Sequence, residues 1–237
     1  MENKTGKYFK YAIGEIVLVV IGILIALQIN NWNNNNSENN NIKNYYNRIS
    51  DEINLSMFNI KDFKKNIDTL IILNKRSLYI LNLKQNDSIT KLEETVGALG
   101  TAYKLNLTLP IIDEFLKQGY LSKIKNDSIK IGFQGIKIFV NDVKEIDNYV
   151  DNQYYTSIEP FFYKNINYAN VALGHAKSDL IVGGPKTNYS KFYNNLELYN
   201  LLSFKLESLL AQKNRIETLI DALEYTQKKI KIELEKR

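Results

Sequence analysis

The chain has 237 residues, a net charge of +5, one histidine and no cysteine. This composition excludes a disulfide framework, a thiolate nucleophile and zinc sites built from cysteines or several histidines, and we expect His175 to be an ordinary surface residue. Lysines interleave with acidic residues, apart from a small cluster at Lys228, Lys229 and Lys231. Because no positive stripe could follow a phosphate backbone, we do not expect nucleic acid as a partner.

Residues 16–27 form an unbroken apolar run near the amino terminus. A run of this length also fits a buried helix or the core of a cleaved signal peptide. The apolar character extends over residues 12–29, however, which as a helix would span ~27 Å. Tyr11 and Trp32 flank the run as headgroup-level aromatics do, and no small-residue pair marks a cleavage site. We predict an uncleaved signal-anchor, a single transmembrane helix over residues 12–32.

The charges that flank this segment predict its orientation. Lys4, Lys7 and Lys10 precede it, whereas residues 29–41 contain neither lysine nor arginine. By the positive-inside rule, we expect residues 1–11 in the cytoplasm, the anchor in a bacterial inner membrane and the remainder in the periplasm.

Residues 33–43 are rich in asparagine and predict a solvated juxtamembrane segment; whether the anchor helix continues through them is left open. The periplasmic domain then comprises residues 44–237. Its first helix is predicted over residues 44–83, which contain no proline or glycine. Apolar residues recur there on one face at three-, four- and seven-residue steps: Tyr46, Ile49, Ile53, Ile60, Phe63, Ile67 and Leu70.

Punctuating residues divide the middle of the chain. A short helix over residues 88–99 is expected to close at Gly97 and Gly100. Pro110 opens the next helix, and Gly119 ends it where a left-handed cap is wanted. The apolar face of that helix is predicted to contain Ile111, Ile112, Phe115 and Leu116.

Asn126 or Asp127 is expected to cap a long helix that runs to about residue 151. Its inward residues are predicted to be Ile131, Phe139, Val143, Ile146 and Val150. Residues 128–140 also alternate well enough to leave a strand open as the alternative.

The last helix is predicted over residues 190–235, after an irregular stretch at residues 174–189. Its buried face is expected to comprise Leu198, Leu202, Leu206, Leu209, Ile216, Ile220, Leu223, Ile230 and Leu234. The fold class is therefore all-α: a single transmembrane helix followed by an antiparallel, coiled-coil-like bundle of four or five helices, the first and last being longest.

Two stretches resemble a known family. Residues 7–33 read KYFKYAIGEIVLVVIGILIALQINNWN, and residues 115–127 read FLKQGYLSKIKND. The first is similar to the N-terminal signature of a large family of single-pass bacterial membrane proteins, a domain of unknown function. The second resembles that family's helix–glycine–helix junction, whereas the asparagine-rich linker departs from the family pattern. The resemblance implies the topology and the helical fold, and it adds no chemistry.

Three anchor residues are candidate functional positions. Glu15 is an ionisable residue one turn inside the span, where it either serves a proton path or snorkels to the cytoplasmic headgroups. Gly22 and Ala26 form a small-xxx-small motif that would let two helices approach closely, which allows a homodimer.

Other candidates have simpler structural interpretations. The aromatic cluster of Tyr154, Tyr155, Phe161, Phe162, Tyr163 and Tyr168 either floors a ligand pocket or belongs to the core. Carboxylates that lie close together in sequence are typical of solvated helix faces. They form the pairs Glu93 and Glu94, Asp113 and Glu114, and Asp142 and Glu145. Gly183-Gly184-Pro185 predicts a turn. We therefore expect no catalytic residues, no metal and no cofactor.

Three classes of function remain. The leading hypothesis is a membrane-anchored periplasmic helical module, without catalytic activity, that binds another membrane or periplasmic protein or senses a ligand. The alternative is an ion-coupled accessory subunit of a larger inner-membrane complex that uses Glu15. An exported hydrolase is the least favoured, because no nucleophile–base or metal constellation is visible.

Overall fold

The computed structural model describes residues 4–236, without the side chains of residues 4–10, Asn86 and His175. All regular secondary structure in this part of the chain is helical. The α-helices are α1 (Lys4–Leu83), α2 (Asn86–Ile89), α3 (Pro110–Lys117), α4 (Asp127–Gln153), α5 (Glu159–Asn165), α6 (Tyr168–Val171), α7 (His175–Asp179) and α8 (Leu196–Leu234). Internal packing divides the chain into two units, Met1–Ile49 and Ser50–Arg237.

Helix α1 answers the question that the sequence left open, because it continues unbroken through the asparagine-rich residues 33–43. Asparagine is a poor helix former, but adding residues to an existing helix costs much less than starting one. These residues are exposed apart from the half-buried Glu38 and the buried Ile42. The segment is therefore helical and largely exposed.

In the second unit, α8 runs antiparallel to α1. Gln227 Nε2 donates to the Ser50 carbonyl at 3.2 Å, and Lys213 Nζ lies 2.7 Å from Asp68 Oδ1. As residue numbers rise along α1, those of its partners on α8 therefore fall. The predicted apolar stripe of the first long helix is buried throughout.

Helix α4 also packs antiparallel to α8. Asn126 Nδ2 donates to Glu233 Oε2 at 2.8 Å at one end, and Ser208 Oγ donates to Gln153 Oε1 at 3.0 Å at the other. Helices α1 and α4 thus run in the same direction along α8.

The buried face of α8 is displaced from the predicted one. Apart from Ser208, the buried residues follow alternating four- and three-residue steps: Leu198, Leu202, Lys205, Leu209, Gln212, Ile216, Leu219, Leu223, Thr226 and Ile230. Leu206, Ile220 and Leu234, which were predicted inward, are half-buried. The helix begins at Leu196 instead of residue 190, because a separate 3-10 turn, Tyr189–Phe192, precedes it. The strict seven-residue repeat is that of a coiled-coil seam and brings polar residues inside.

The strand alternative for residues 128–140 is wrong. Asn126 caps α4 by accepting a hydrogen bond from the Ser128 amide at 3.0 Å, as the sequence predicted. Ile131, predicted inward, is 61% exposed, whereas Ile129, Phe133 and Ile136 are buried. A helix that starts at this cap places residues 129, 133 and 136 on one buried face, where the Phe133 ring lies 5.1 Å from that of Phe115 on α3, and it leaves residue 131 outside.

Predictions based on local backbone chemistry are confirmed around α3. Pro110 opens this helix, and Gly119 follows it with a left-handed φ of 76°. Of its predicted apolar face, Ile112 and Phe115 are buried, while Ile111 and Leu116 are half-buried. The carboxylate of Glu52 on α1 accepts the Ile111 and Ile112 amides at 2.7 and 3.0 Å. It thus supplies the N-terminal cap that α3 itself lacks.

The helix expected at residues 88–99 is broken into α2 and two 3-10 segments, Thr90–Glu94 and Val96–Ala98. Gly97 lies so close to α6 that an added Cβ would overlap the Val171 carbonyl. This tertiary contact determines the local path, which explains why residue spacing alone predicted a regular helix.

Two glycines of α4 provide a matched test of the α4–α8 contact. A Cβ at Gly132 would overlap Thr226 Oγ1 and lie 3.1 Å from Thr226 Cβ, whereas one at Gly135 would contact only Phe139, at 3.6 Å. We expect Gly132→Ala to lower the free energy of unfolding by about 1–3 kcal/mol because the helices must separate. Gly135→Ala should raise it by up to about 1 kcal/mol through helix propensity.

Urea unfolding of the full chain in a non-ionic detergent, followed by circular dichroism, measures both changes. Thr226→Ala added to Gly132→Ala should recover most of the loss. Equal effects of the two glycine substitutions would contradict the close approach.

Candidate functional site

In the first unit, the apolar part of α1 is uncovered. None of its apolar 18-residue window is buried within the described chain. Leu18 and Trp32, for example, are 71% and 69% exposed. An uncovered apolar surface of this extent is stable only against lipid or another protein. By length and composition, this helix could cross a membrane.

The three anchor residues singled out in the sequence share one stripe of α1. At 3.6 residues per turn, Gly22 lies about 20° from Glu15 in helical projection, and Ala26 lies about 20° from Glu15 on the other side. All three are exposed, and a Cβ on Gly22 would meet no atom within 4 Å. The small residues and the carboxylate could therefore face the same neighbouring helix.

In the second unit, polar side chains interrupt the α4–α8 contact. We call Asp147, Asp151 and Gln153 of α4, together with Lys205, Ser208 and Gln212 of α8, the polar seam. Gln212 Nε2 donates to Asp147 Oδ1 at 2.6 Å and to the Tyr103 carbonyl at 3.0 Å. Asp147 Oδ2 accepts the Leu105 amide at 2.8 Å. These bonds hold the irregular segment around residues 103–105 against both helices.

The two buried charged residues of the polar seam, Asp147 and Lys205, differ in whether hydrogen bonds offset the cost of burying their charge. Burial raises the pKa of the Asp147 carboxyl, and the bonds from Gln212 and Leu105 partly offset this effect. Lys205 is fully buried, and its Nζ has no hydrogen-bond partner among the described residues. Burial lowers the pKa of Lys205 to about 8 despite the opposing charge of Asp151, which itself pairs with Lys104.

A buried lysine with a lowered pKa is the kind of amine that enzymes use as a nucleophile or base. Lys205 lines none of the three cavities described below. In the described chain, its surroundings are side chains that secure helix pairing, so a structural role accounts for it best. Lys205 was not predicted to face inward, because a four-residue step from Leu202 favoured Leu206; the seven-residue step from Leu198 leads to Lys205.

The aromatic residues considered as a pocket floor are divided between core and surface. Phe161 and Phe162 are buried in a core cluster with Leu92, Leu99 and Phe192. Tyr155 and Tyr163 are 62% and 81% exposed and thus lie outside that core. Among described residues, no group of three or more histidine or acidic side chains is arranged to hold a metal ion. His175 lies outside the side chains that the structure describes.

Three surface cavities differ in charge. One of about 410 Å³ lies over Lys64, Asp68 and Glu217, whose charges pair with one another. A second, of about 230 Å³, is lined mainly by residues 105–108 and α4. The third, of about 580 Å³, is lined by the loop around Gly183-Gly184-Pro185 and by three lysines without an acidic residue.

No protein-family model, curated protein or solved structure matches this chain. The uncovered apolar helix, the polar seam and the lysine-lined loop are therefore the features from which a function can be inferred.

Removing the Lys205 charge tests the polar seam. Lys205→Met should raise the free energy of unfolding by about 3 kcal/mol at neutral pH, because the charged amine is disfavoured in the folded state. The folded-state pKa lies below the unfolded one, so the penalty is complete below pH about 8 and fades as the pH rises toward 10.5. The gain should therefore fall below about 1 kcal/mol at pH about 10.

The exposed Lys228 of α8 is the matched control, and Lys228→Met should change stability by less than about 0.5 kcal/mol at either pH. Urea unfolding of both full-length variants measures the difference. Destabilisation by Lys205→Met at neutral pH would show that the amine has a partner that stabilises its charge.

Proposed function

We propose that this chain is a membrane-anchored helical module that binds another protein and has no catalytic activity. The observation that carries the proposal is the wholly unburied apolar window of α1. A helix satisfies its own backbone hydrogen bonds, so it can present this surface to hydrocarbon without unpaired amides. Residues 12–32 are the proposed single transmembrane span in a bacterial inner membrane.

The proposed orientation follows from the flanking charge. Lys4, Lys7 and Lys10 favour a cytoplasmic location for residues 1–11, and residues 29–41 place no lysine or arginine on the other side. Residues 44–237 then form the periplasmic domain. Its architecture is proposed as an antiparallel bundle of α1, α4 and α8, with α3 and α5 as shorter fourth and fifth helices.

The proposed partner is a second membrane helix, supplied by another protein or by a second copy of this chain. Gly22 and Ala26 leave a shallow track along one stripe of α1, and small residues allow the close packing that associates helices in lipid. The resemblance of residues 14–33, GEIVLVVIGILIALQINNWN, to single-pass bacterial membrane proteins supports the same topology, and we infer membership of that family.

The alternative is an ion-coupled accessory subunit. It is favoured by one observation, that Glu15 shares its stripe with Gly22 and Ala26. A partner packed on this stripe would cover the carboxylate and could use it as a proton site.

Topology is the first test of the proposal. A reporter that is active only in the periplasm, fused after Arg237, should be active, because the charge bias keeps residues 1–11 inside. Protease added to spheroplasts should digest the domain beyond the anchor. An inactive fusion together with a protected domain would reverse the orientation.

The shared stripe can be tested by cross-linking, since the chain has no cysteine of its own. A cysteine introduced at Ile29, seven residues beyond Gly22, should form a cross-link to a partner or second copy in native membranes. Gly22→Ile should reduce it at least about tenfold by blocking close approach. Gly14→Ile, about 80° from Gly22 in helical projection and about 100° from Glu15, is the matched control and should have no effect.

The variant Glu15→Gln distinguishes the two proposed functions when cross-linking is combined with complementation of a deletion strain. We expect normal insertion, cross-linking and complementation of a deletion strain, because a carboxylate one turn from Tyr11 can reach the headgroups. Loss of complementation in an inserted, cross-linked Glu15→Gln protein would instead establish the ion-coupled alternative.

A further inference from the structure

An apolar loop tip is exposed in the second unit, immediately after α7. Leu180, Ile181 and Val182 are 38%, 93% and 64% exposed, and Ile181 is the most exposed large apolar residue of the described chain. Consecutive aliphatic residues normally leave water when a loop can fold back. The loop therefore presents a small apolar surface that a ligand could cover.

Hydrogen bonds hold this loop in its outward conformation. Asn167 Nδ2 donates to the carbonyls of Gly183 and Pro185 at 2.7 and 2.9 Å. The backbone N–H of Asn167 donates to Thr187 Oγ1 at 2.9 Å, which secures the far side of the turn. Gly183 and Gly184 adopt φ values of 143° and 77°, which residues with a side chain rarely adopt. The exposure of the tip is thus a property of the folded loop.

Positive charge surrounds the tip. Residues 163–195 contain four lysines and one acidic residue, Asp179. Lys164, Lys186 and Lys191 line the cavity of about 580 Å³ between this loop and the end of α5. Lys191 donates to Asn165 Oδ1 at 3.0 Å, and no described residue forms an ion pair with Lys164 or Lys186.

We propose that this loop, residues 180–191 with Lys164, is a peripheral docking surface for an anionic phospholipid bilayer. Ile181 and Val182 enter the boundary between headgroups and acyl chains, while Lys164, Lys186 and Lys191 contact phosphate groups. An apolar tip with a basic rim is the composition that binds such interfaces. Protein interfaces are depleted in lysine, so a protein partner fits this surface less well. The inference is independent of the orientation of the anchor.

The test uses the full chain, with its anchor enclosed in nanodiscs of neutral phosphatidylcholine, and measures co-flotation with separate vesicles. Vesicles that contain phosphatidylglycerol should bind, and added salt should weaken binding through screening. Vesicles of phosphatidylcholine alone should bind weakly or not at all. Lys164→Gln with Lys186→Gln should weaken binding about 25-fold, since each lysine near an anionic surface contributes about fivefold. Ile181→Ser with Val182→Ser should weaken it at least about tenfold.

Matched controls alter lysines and large apolar residues on other surfaces. Lys125→Gln with Lys137→Gln, and Leu55→Ser with Phe58→Ser, should leave vesicle binding unchanged; these side chains are exposed on other parts of the second unit. Circular dichroism verifies that each variant is folded.

Three results would overturn the proposal. They are no binding to anionic vesicles, equal binding to neutral vesicles, and equal losses in the loop and control variants. Loop variants that bind vesicles normally but lose a cross-link to a membrane protein in cells would assign this surface to a protein partner instead.

Discussion

Helix α8 packs against α1 and α4 at once, and this double contact constrains the whole second unit. Along its 39 residues, buried positions alternate by four and three, so few side chains can be exchanged without affecting a neighbour. Where Gly132 of α4 meets Thr226, the two helices are too close even for a methyl group. Where the polar seam lies, the same regular spacing brings Lys205 and Gln212 inside, because helix geometry and not side-chain polarity determines which residues face inward.

The polar seam shows what this constraint costs and what it provides. Gln212 Nε2 donates to Asp147, and the two side chains anchor the segment at residues 103–105, so their burial defines one arrangement of helix and loop. Gln212 Oε1 is buried without a hydrogen-bond partner among the described residues. Lys205 has no hydrogen-bond partner among the described residues, and burial of its amine disfavours the charged form and lowers its pKa. Buried polar groups can specify register at the expense of stability. In this seam, Asp147 and Gln212 provide the specificity, whereas Lys205 contributes mainly the cost.

Sequence reasoning predicted those elements whose cause is local. Pro110, Gly119 and Asn126 act through their own backbone or through neighbouring amides, and the structure places each as expected. The predictions were wrong where contact with a residue distant in sequence determines the local structure. The path of the chain at Gly97 is determined by close contact with the backbone of Val171. The cap of α3 comes from Glu52, some 60 residues away along the chain. Predicting the inward faces of α4 and α8 required the exact helical register. An error of one or two residues led to Ile131 being predicted inward where Ile129 is buried, and Leu206 where Lys205 is buried.

The apolar segment of α1 and the loop tip after α7 are both exposed among the described residues, and their different shapes favour different partners. The anchor segment is a continuous apolar helix whose backbone is internally bonded, which suits complete burial in hydrocarbon. The loop tip contains only three consecutive apolar residues, Leu180, Ile181 and Val182. The carbonyls that follow it accept hydrogen bonds from Asn167, and three lysines line the adjacent cavity. Lysine ammonium groups are strongly hydrated, so this surface suits the wet headgroup region and not the interior of a bilayer. The first surface therefore favours permanent insertion, whereas the second favours reversible contact that responds to lipid charge.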